Sequence, residues 1–407
     1  MIEFLEGNDA VVRAAVEAGC RFFAGYPITP ATSILTGMLQ ELPRVGGVAV
    51  QGEDEIASIG MCIGAAMTGL LAMTATSGPG MSLYSENLGL AIMGETPLVV
   101  VDVQRQGPAT GSATKGADGD IQFLRWGTSG GLPLFVLSPE NVAECYTLTH
   151  WAFELAGRFR TPVILASQKE VGLTRERVDL EAARRALPPY PASPPPLPGL
   201  AAPPAPGPAA PPAPGPAAGP ASAGPASAPA PAAPYQPYAF ARPADVPPFS
   251  PLGGPRLVRY TTSTHDQRGL LTRDPEVIAQ MLAHLEGKIL EGAPDWALCD
   301  LDQDPQADTL LLTYGVSARA AREALRRARA QGKRLSLLVL KTLYPVPAAA
   351  IRAALQGVER VLVVEMNLGQ YVEEVRRLAG GREVVFLGRM NTELLSPEEI
   401  LRGGGLS

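Results

Sequence analysis

Compact apolar runs separated by segments of helical period set the rhythm of the first part of the chain. Residues 21–24, 47–51, 71–76, 97–103 and 162–167 form the runs, and the last two carry almost no polar side chain. Between them, residues 11–17, 32–42, 55–68, 81–93 and 139–155 place apolar side chains on one helical face. Short apolar strands alternating with helices predict a parallel sheet covered on both faces, the α/β class. The pattern resumes late in the chain. A helix at 275–289 precedes strands at 309–313, 335–340, 361–365 and 384–387, with helices at 317–331, 348–355 and 369–378 between them. This predicts a second, smaller α/β unit. No internal repeat of short period is present.

Residues 201–234 contain only Pro, Ala, Gly and Ser. Such a stretch cannot bury enough surface to offset its ordering entropy, so it reads as a linker. The expected organisation is a first domain at 1–186, a Pro/Ala/Gly-rich disordered linker at 187–238, an intermediate segment at 239–304 and a second domain at 305–407.

Composition narrows the function. The chain has 407 residues, 46% apolar and 18% charged, with a net charge of −6. An acidic balance argues against a nucleic-acid or anionic-membrane surface, which wants a basic patch. No apolar run approaches the roughly 20 residues that span a bilayer. The acidic start of the chain lacks a basic leader segment, so a cytoplasmic location is expected. Cys20, Cys62, Cys145 and Cys299 are scattered, with no C-x-x-C spacing to hold zinc or an iron–sulfur cluster. His150, His265 and His284 are equally dispersed, and no metal site is expected in this chain.

Candidate chemistry gathers in the strand-to-helix loops of the first unit. Gly25-Tyr26-Pro27-Ile28-Thr29-Pro30 is stiffened by two prolines and brings the Thr29 hydroxyl near a helix start, where anions are favoured. A tight connection without a ligand is the plain alternative. Glu53-Asp54-Glu55 precedes a helix built of Ala, Gly, Ser, Met and Ile, a composition that packs closely on something. Carboxylates in a first helical turn also serve simply to offset the helix dipole. Thr76-Ser77-Gly78-Pro79-Gly80 has glycines that admit a ligand close to the backbone. It is neither a dinucleotide fingerprint nor a Walker loop. Arg105 ends the run Val101-Asp102-Val103-Gln104-Arg105, and its guanidinium fork matches a carboxylate. At this spacing an ordinary surface arginine is equally open.

Taken in order, EGN, AGCRFFAGYPITP, EDEIASIG, MTATSGPG, VDVQRQGPATG and RWGT resemble the α subunit of 2-oxoacid:ferredoxin oxidoreductases, the 2-oxoglutarate enzymes in particular. After the linker, THDQRG, LLTYG, LKTLYPVP and VVEMNLGQ continue the resemblance. It implies a first domain like the pyrimidine domain of thiamine-diphosphate enzymes and a second like the carboxy-terminal domain of transketolase. It places Glu55 against N1′ of the aminopyrimidine, where a carboxylate promotes the imino tautomer. It assigns Tyr26, Ile28 and Thr29 to substrate contact, Arg105 to the 2-oxoacid carboxylate, and Ser77 and Gly78 to the cofactor.

The resemblance further implies CoA-dependent oxidative decarboxylation of a 2-oxoacid to acyl-CoA and CO₂, with reduction of ferredoxin. Branched-chain or pyruvate specificity, or a non-catalytic assembly role, are the alternatives. Asp118-Gly119-Asp120 lacks the Gly-Asp-Gly order that holds Mg²⁺ on the diphosphate. The Mg²⁺, the diphosphate and the iron–sulfur cluster are therefore expected on a β subunit, with a γ subunit as a further partner. The chain also departs from the family: Ala109 stands where a serine is usual, and Ser112-Ala113-Thr114 and Ser129-Gly130-Gly131-Leu132 replace more typical polar runs. Glu365-Met366-Asn367 reads either as an interface motif or as ordinary turn and capping residues.

Overall fold

A computed structural model describes residues 2–185, 235–292 and 296–405. Most of the expected linker, residues 187–234, lies outside the described residues. The first part of the chain forms β1 (Ile2–Glu6), α1 (Gly7–Glu17), β2 (Phe22–Gly25), α2 (Thr32–Glu41), β3 (Val48–Gln51), α3 (Glu55–Met67), β4 (Ala72–Thr76) and α4 (Gly78–Met93). It continues with β5 (Leu98–Gln104), α5 (Ile121–Trp126), β6 (Phe135–Leu137), α6 (Val142–Phe159), β7 (Pro162–Gln168), α7 (Lys169–Gly172), β8 (Arg175–Asp179) and α8 (Leu180–Arg185). Later come α9 (Pro275–Leu290), β9 (Cys299–Asp302), β10 (Thr309–Tyr314), α10 (Ser317–Ala330), β11 (Leu335–Leu340), β12 (Thr342–Tyr344) and α11 (Ala348–Ala354). The described chain ends with β13 (Arg360–Glu365), α12 (Val372–Leu378), β14 (Glu383–Gly388) and α13 (Pro397–Gly403).

Seven strands form the larger sheet in the order β12-β6-β7-β5-β4-β2-β3, and five form the second in the order β14-β13-β10-β11-β9. Their long apolar strands are parallel, as the pattern predicts, and β5 and β7 are buried along their whole length. Each sheet also has an antiparallel edge that the pattern does not show: β12 on β6 and β9 on β11. The pair β1–β8 stands apart as a two-stranded ribbon. All four of these unforeseen strands are short or alternate with charge, so the sequence shows no long apolar run for them.

The two sheets share their packing. β12 belongs to the later part of the chain by sequence but closes the edge of the first sheet. Beside it, the buried Lys341 ammonium pairs with Glu140 and Asp300, each at 3.4 Å, and with Glu144. These three carboxylates lie close enough to hold a metal ion, but Lys341 and Arg322 already pair with them. Glu365-Met366-Asn367 includes the capping role that one reading of the sequence offered. The Glu365 carboxylate accepts from Tyr371 and Val372 backbone N–H, both at 2.8 Å, capping α12. The Met366 carbonyl accepts from Asp118 N–H at 2.8 Å, and Asn367 Nδ2 donates to the Asp118 carbonyl at 3.1 Å, which ties the second sheet to the first.

Candidate active site

Parallel α/β sheets offer ligands a place at the carboxyl ends of their strands. Here those ends are β2, β3, β4 and β5, and the helices that follow aim their N-termini at the same edge. Asp54 caps α3 by accepting from Ala57 N–H at 2.7 Å, which leaves Glu55 as the first helical residue. Glu55 is only 6% exposed. Opposite it lies the first turn of α4. A side chain at Gly80 would put its Cβ 1.9 Å from Thr76 Oγ1 and 3.0 Å from Glu55 Oε1. The missing side chain thus lets the first turn of α4 pack directly against Thr76 and the Glu55 carboxylate.

The second group is built around Arg105, which is buried just beyond β5. Its Nη1 donates to the Thr29 carbonyl at 2.7 Å and its Nη2 to the Ala109 carbonyl at 3.3 Å. Its Nε is buried without a partner. The guanidinium therefore pins two loops and keeps donor capacity for an anion. Thr29 itself is exposed, so its hydroxyl is accessible. The Tyr26 ring is exposed, whereas Ile28 packs partly on the core.

Between the two groups the structure places residues that the motifs did not single out. Asp102 and Asp120 bring their carboxyl groups together inside the protein. No donor reaches either Asp102 oxygen, nor Asp120 Oδ2. Burial first, then the Asp120 charge, pushes Asp102 well above the usual carboxylate range. Burial raises Asp120 to about 6, against the lowering effects of Asp102 and Arg105. A Cβ at Gly78 would sit 3.2 Å from Asp120 Oδ2, so this carboxyl faces the turn whose other glycine faces Glu55. Thr76 Oγ1, Ser77 Oγ and Gln104 Nε2 are also buried without partners. Unsatisfied buried polar atoms are costly and rare, and their concentration at one sheet edge marks a place for a ligand.

Glu55, Ser77, Gly78, Thr29 and Arg105 thus line one edge, with Asp120 as the link between the Glu55 side and the Arg105 side. The sequence did carry one overlooked signal for the pair. Asp102 interrupts a strand of Leu and Val that burial would otherwise keep free of charge.

Comparison with known proteins places the chain in a family. The thiamine-diphosphate-binding domain of pyruvate flavodoxin/ferredoxin oxidoreductases matches residues 13–221, and core domain II of pyruvate:ferredoxin oxidoreductase matches residues 307–400. The chain is 38% identical over 404 residues to the 2-oxoglutarate synthase subunit KorA of Methanothermobacter marburgensis, covering 98% of this chain and 97% of that one. A solved 2-oxoglutarate:ferredoxin oxidoreductase from Magnetococcus marinus, with 2-oxoglutarate, coenzyme A and succinyl-CoA bound, superposes with a TM-score of 0.81 at 28% identity. That match covers 98% of this chain, which spans 64% of the solved chain. An inactive β4 tetramer of a split-gene transketolase shares the fold, with a TM-score of 0.53 at 11% identity over 99% of this chain and 98% of that one.

Proposed function

The chain belongs to the 2-oxoacid:ferredoxin oxidoreductase family as an α-type subunit, and from that premise we propose that it contributes half of the active site of a CoA-dependent 2-oxoglutarate:ferredoxin oxidoreductase. The overall reaction converts 2-oxoglutarate and CoA to succinyl-CoA and CO₂, releasing a proton and passing an electron pair to ferredoxin. The observation that carries the reading is the buried Glu55 carboxylate at the start of α3, packed against the glycine turn of α4. The buried, unpartnered Thr76 and Ser77 hydroxyls beside it are polar groups that a bound cofactor would satisfy.

In this reading Glu55 holds and returns a proton at a ring nitrogen of thiamine diphosphate. When bound, the cofactor supplies a nucleophilic carbon and an electron sink for decarboxylation. Ser77 and the glycine backbone at 78 shape the wall on which the ring lies. Arg105 orients the substrate carboxylate through its fork, and Thr29 offers a hydroxyl to the carboxylate or keto oxygen, with Tyr26 and Ile28 shaping the same loop. The diphosphate, its Mg²⁺ and the iron–sulfur cluster belong to a β subunit, with a γ subunit as a further partner, in the cytoplasm. Residues 1–186 form the pyrimidine-side domain and 305–407 the transketolase-like one, joined through the linker at 187–238 and the segment at 239–304.

The test is Glu55→Gln in the assembled enzyme. A glutamine still bonds the ring nitrogen but cannot exchange a proton with it, and general acid–base steps of this kind contribute roughly 100- to 10,000-fold. CoA-dependent ferredoxin reduction should fall within that range. Unchanged turnover would leave the chain with an assembly role. Comparing 2-oxoglutarate, pyruvate and 2-oxoisovalerate fixes the substrate, and a preference for 2-oxoisovalerate would replace the one proposed.

A further inference from the structure

We infer that a cavity at the carboxyl ends of β10 and β13 binds a small monocarboxylate with a short apolar tail, its charged head on Ser317 at the start of α10. None of the residues that line this cavity is among those proposed above for thiamine diphosphate or the 2-oxoacid.

Topology places a crevice there. β10 lies between β13 and β11 in the second sheet. The chain leaves β10 through α10 to β11 on one side, then returns through α11 to β13 on the other. The two helices cover opposite faces. Ala318 and Ala321 of α10 share a core with Leu311 of β10, whereas Ile351 and Ala354 of α11 share another with its neighbours Leu310 and Leu312. Adjacent parallel strands whose connections depart to opposite sides leave an opening at their carboxyl ends, and open α/β sheets take ligands at this place. Part of the opening is filled from the first sheet. Val316 N–H donates to Gln168 Oε1 at 2.5 Å, and Gln168 Nε2 donates to Asp118. What remains is a cavity of about 200 Å³, lined by Val316 and Ser317 after β10 and by Met366 after β13. One water needs only roughly 10–15 Å³ of such space, so an organic molecule of several heavy atoms fits.

The polar end of the cavity lacks a partner. α10 is 14 residues long and begins without a side-chain cap. Its first residue, Ser317, is 4% exposed, and its hydroxyl is buried with no hydrogen-bond partner among the described residues. A buried hydroxyl left without a bond is costly and rare. This one stands in the first turn of a helix, where the dipole favours negative charge. An oxyanion head on Ser317 satisfies the hydroxyl and the helix end together.

The surrounding charges limit that head to a single negative charge. Arg319 lines the cavity but already pairs with Glu176 at 2.7 Å. Glu170 lines it too, with its carboxylate on Gly116 N–H at 3.0 Å and near Lys169 Nζ at 3.6 Å. The lining cation and the lining anion are thus both engaged, and the helix end offers an incoming group about half a positive charge. That suits a monoanion. A dianion would meet Glu170 with no free counter-charge. Val316, Ala320, Met366, Leu394 and Leu395 make the rest of the wall apolar, so the tail that follows the head must be apolar as well.

The experiment is calorimetric titration of the assembled, thiamine-diphosphate-loaded enzyme with acetate, butyrate, succinate and inorganic phosphate, at constant ionic strength. Butyrate should show a binding component that Ser317→Ala weakens roughly 10- to 100-fold, the range for loss of a hydrogen bond to a charged group. A buried methylene is worth about a factor of four, so butyrate should bind this component roughly ten-fold tighter than acetate. Succinate, with butyrate's length and a second charge, should bind it at least ten-fold more weakly, and phosphate likewise. Ala320→Leu fills the apolar end without touching Ser317 and should abolish the preference for butyrate over acetate. An S317A isotherm identical to wild type overturns the proposal, as does succinate or phosphate binding that equals butyrate binding.

Ser317→Asp gives a second measurement that does not depend on a loss of binding alone. It supplies a carboxylate from within the chain. The wild-type melting temperature should rise with butyrate concentration and saturate, as expected of a ligand that binds only the folded state. S317D should melt at or above the ligand-free wild type and show no further rise with butyrate. A lower melting temperature for S317D would show that this cavity gives an oxyanion no place, and overturns the proposal.

Discussion

Arg105 Nη1 reaches across 76 positions of sequence to the Thr29 carbonyl, so the residue just after β5 also anchors the loop that follows β2. Substrate-facing groups from two strands are thereby held by one side chain. Loss of Arg105 has two effects that are separable by experiment. Arg105→Ala removes both the charge and the loop anchor. A charge-assisted hydrogen bond contributes about 1.5–3 kcal/mol, so KM for the 2-oxoacid should rise roughly 10- to 100-fold. Arg105→Lys keeps the charge but cannot bond both carbonyls and a carboxylate from one planar fork. It should recover only part of the loss. Steady-state kinetics on both variants checks this, and a lysine variant equal to wild type would show that charge alone matters.

Gly80 offers a second test, because its lack of a side chain is a requirement of space and not of backbone angle. The Cβ of Gly80→Ala would fall 1.9 Å from Thr76 Oγ1 and 3.0 Å from Glu55 Oε1. Thr76 is fully buried and cannot swing into solvent, so the turn or the threonine must shift. Overpacking of a buried site costs about 1–3 kcal/mol. G80A should therefore melt lower than wild type and lose thiamine diphosphate binding. The control is Gly60→Ala on the exposed face of α3, where a Cβ meets nothing within 4 Å. Within the subunit that change should stabilise by about 0.5–1 kcal/mol. Equal effects at the two glycines would remove the argument that the Gly80 turn holds Glu55 in place.

How much of this was legible beforehand follows from where the information lies. β4, β5, β7, β10, β11 and β13 are buried on both sides, so each is written as a run of apolar residues that no other element explains. Arg105 stands just after such a run and Glu55 and Thr29 after the shorter β3 and β2, where strand-to-helix loops announce themselves by glycine and proline. β1 and β8 read Ile-Glu-Phe-Leu-Glu and Arg-Glu-Arg-Val-Asp, and their pairing rests on backbone bonds and on charges such as Arg175 with Glu6 at 3.6 Å. β6 and β12 have three residues each, too few for any period. The Asp102–Asp120 pair was hidden for another reason. Eighteen positions separate the two, and nothing local shows that their carboxyl groups meet, although a lone carboxylate in the strand Leu98–Gln104 could have raised the question.

Asp118 joins the two sheets and titrates in an unusual direction. Gln168 donates to one of its oxygens, and Met366 N–H reaches the other at 3.3 Å. Burial raises it well above the ordinary 3.8, and the nearby Glu365, Glu170 and Asp120 charges reinforce that shift against the opposing Met366 bond. An acid whose folded-state pKa is raised binds its proton more tightly folded than unfolded. Its contribution to stability is therefore present in acid and declines as pH rises above 3.8. Asp118→Asn removes that decline. The difference in melting temperature between D118N and wild type should shift in favour of D118N between about pH 5 and pH 8. A difference that does not change with pH would mean that Asp118 titrates normally.

The segment after residue 235 is fastened to the first sheet by charges buried well away from the candidate site. Lys288 Nζ on α9 donates to Glu95 Oε2 at 2.8 Å and to the Arg160 carbonyl at 3.1 Å, with the Lys288 and Glu95 side chains each 1% exposed. Arg160 Nε donates to the Glu95 carbonyl at 3.2 Å, and its Nη1 donates to Pro237 and Pro247 carbonyls, both at 3.0 Å. Burial alone would push Glu95 up, but Lys288, His284 and Arg160 together outweigh it and hold the carboxyl well below its ordinary range. Removing one partner of a buried ion pair costs about 3–5 kcal/mol, because the other charge is left unpaired. Lys288→Met should destabilise by that amount, and Lys288→Met with Glu95→Gln should recover much of it. The acid limb of stability gives an independent check. A depressed carboxyl contributes fully above the ordinary value of 4.5 and loses its contribution as pH falls through the depressed one. Wild type should therefore lose stability on acidification below about pH 4.5 more steeply than the double variant does. Denaturant titrations at neutral and acid pH measure both effects, and equal losses in the single and double variants would show that Glu95 and Lys288 do not act as a pair.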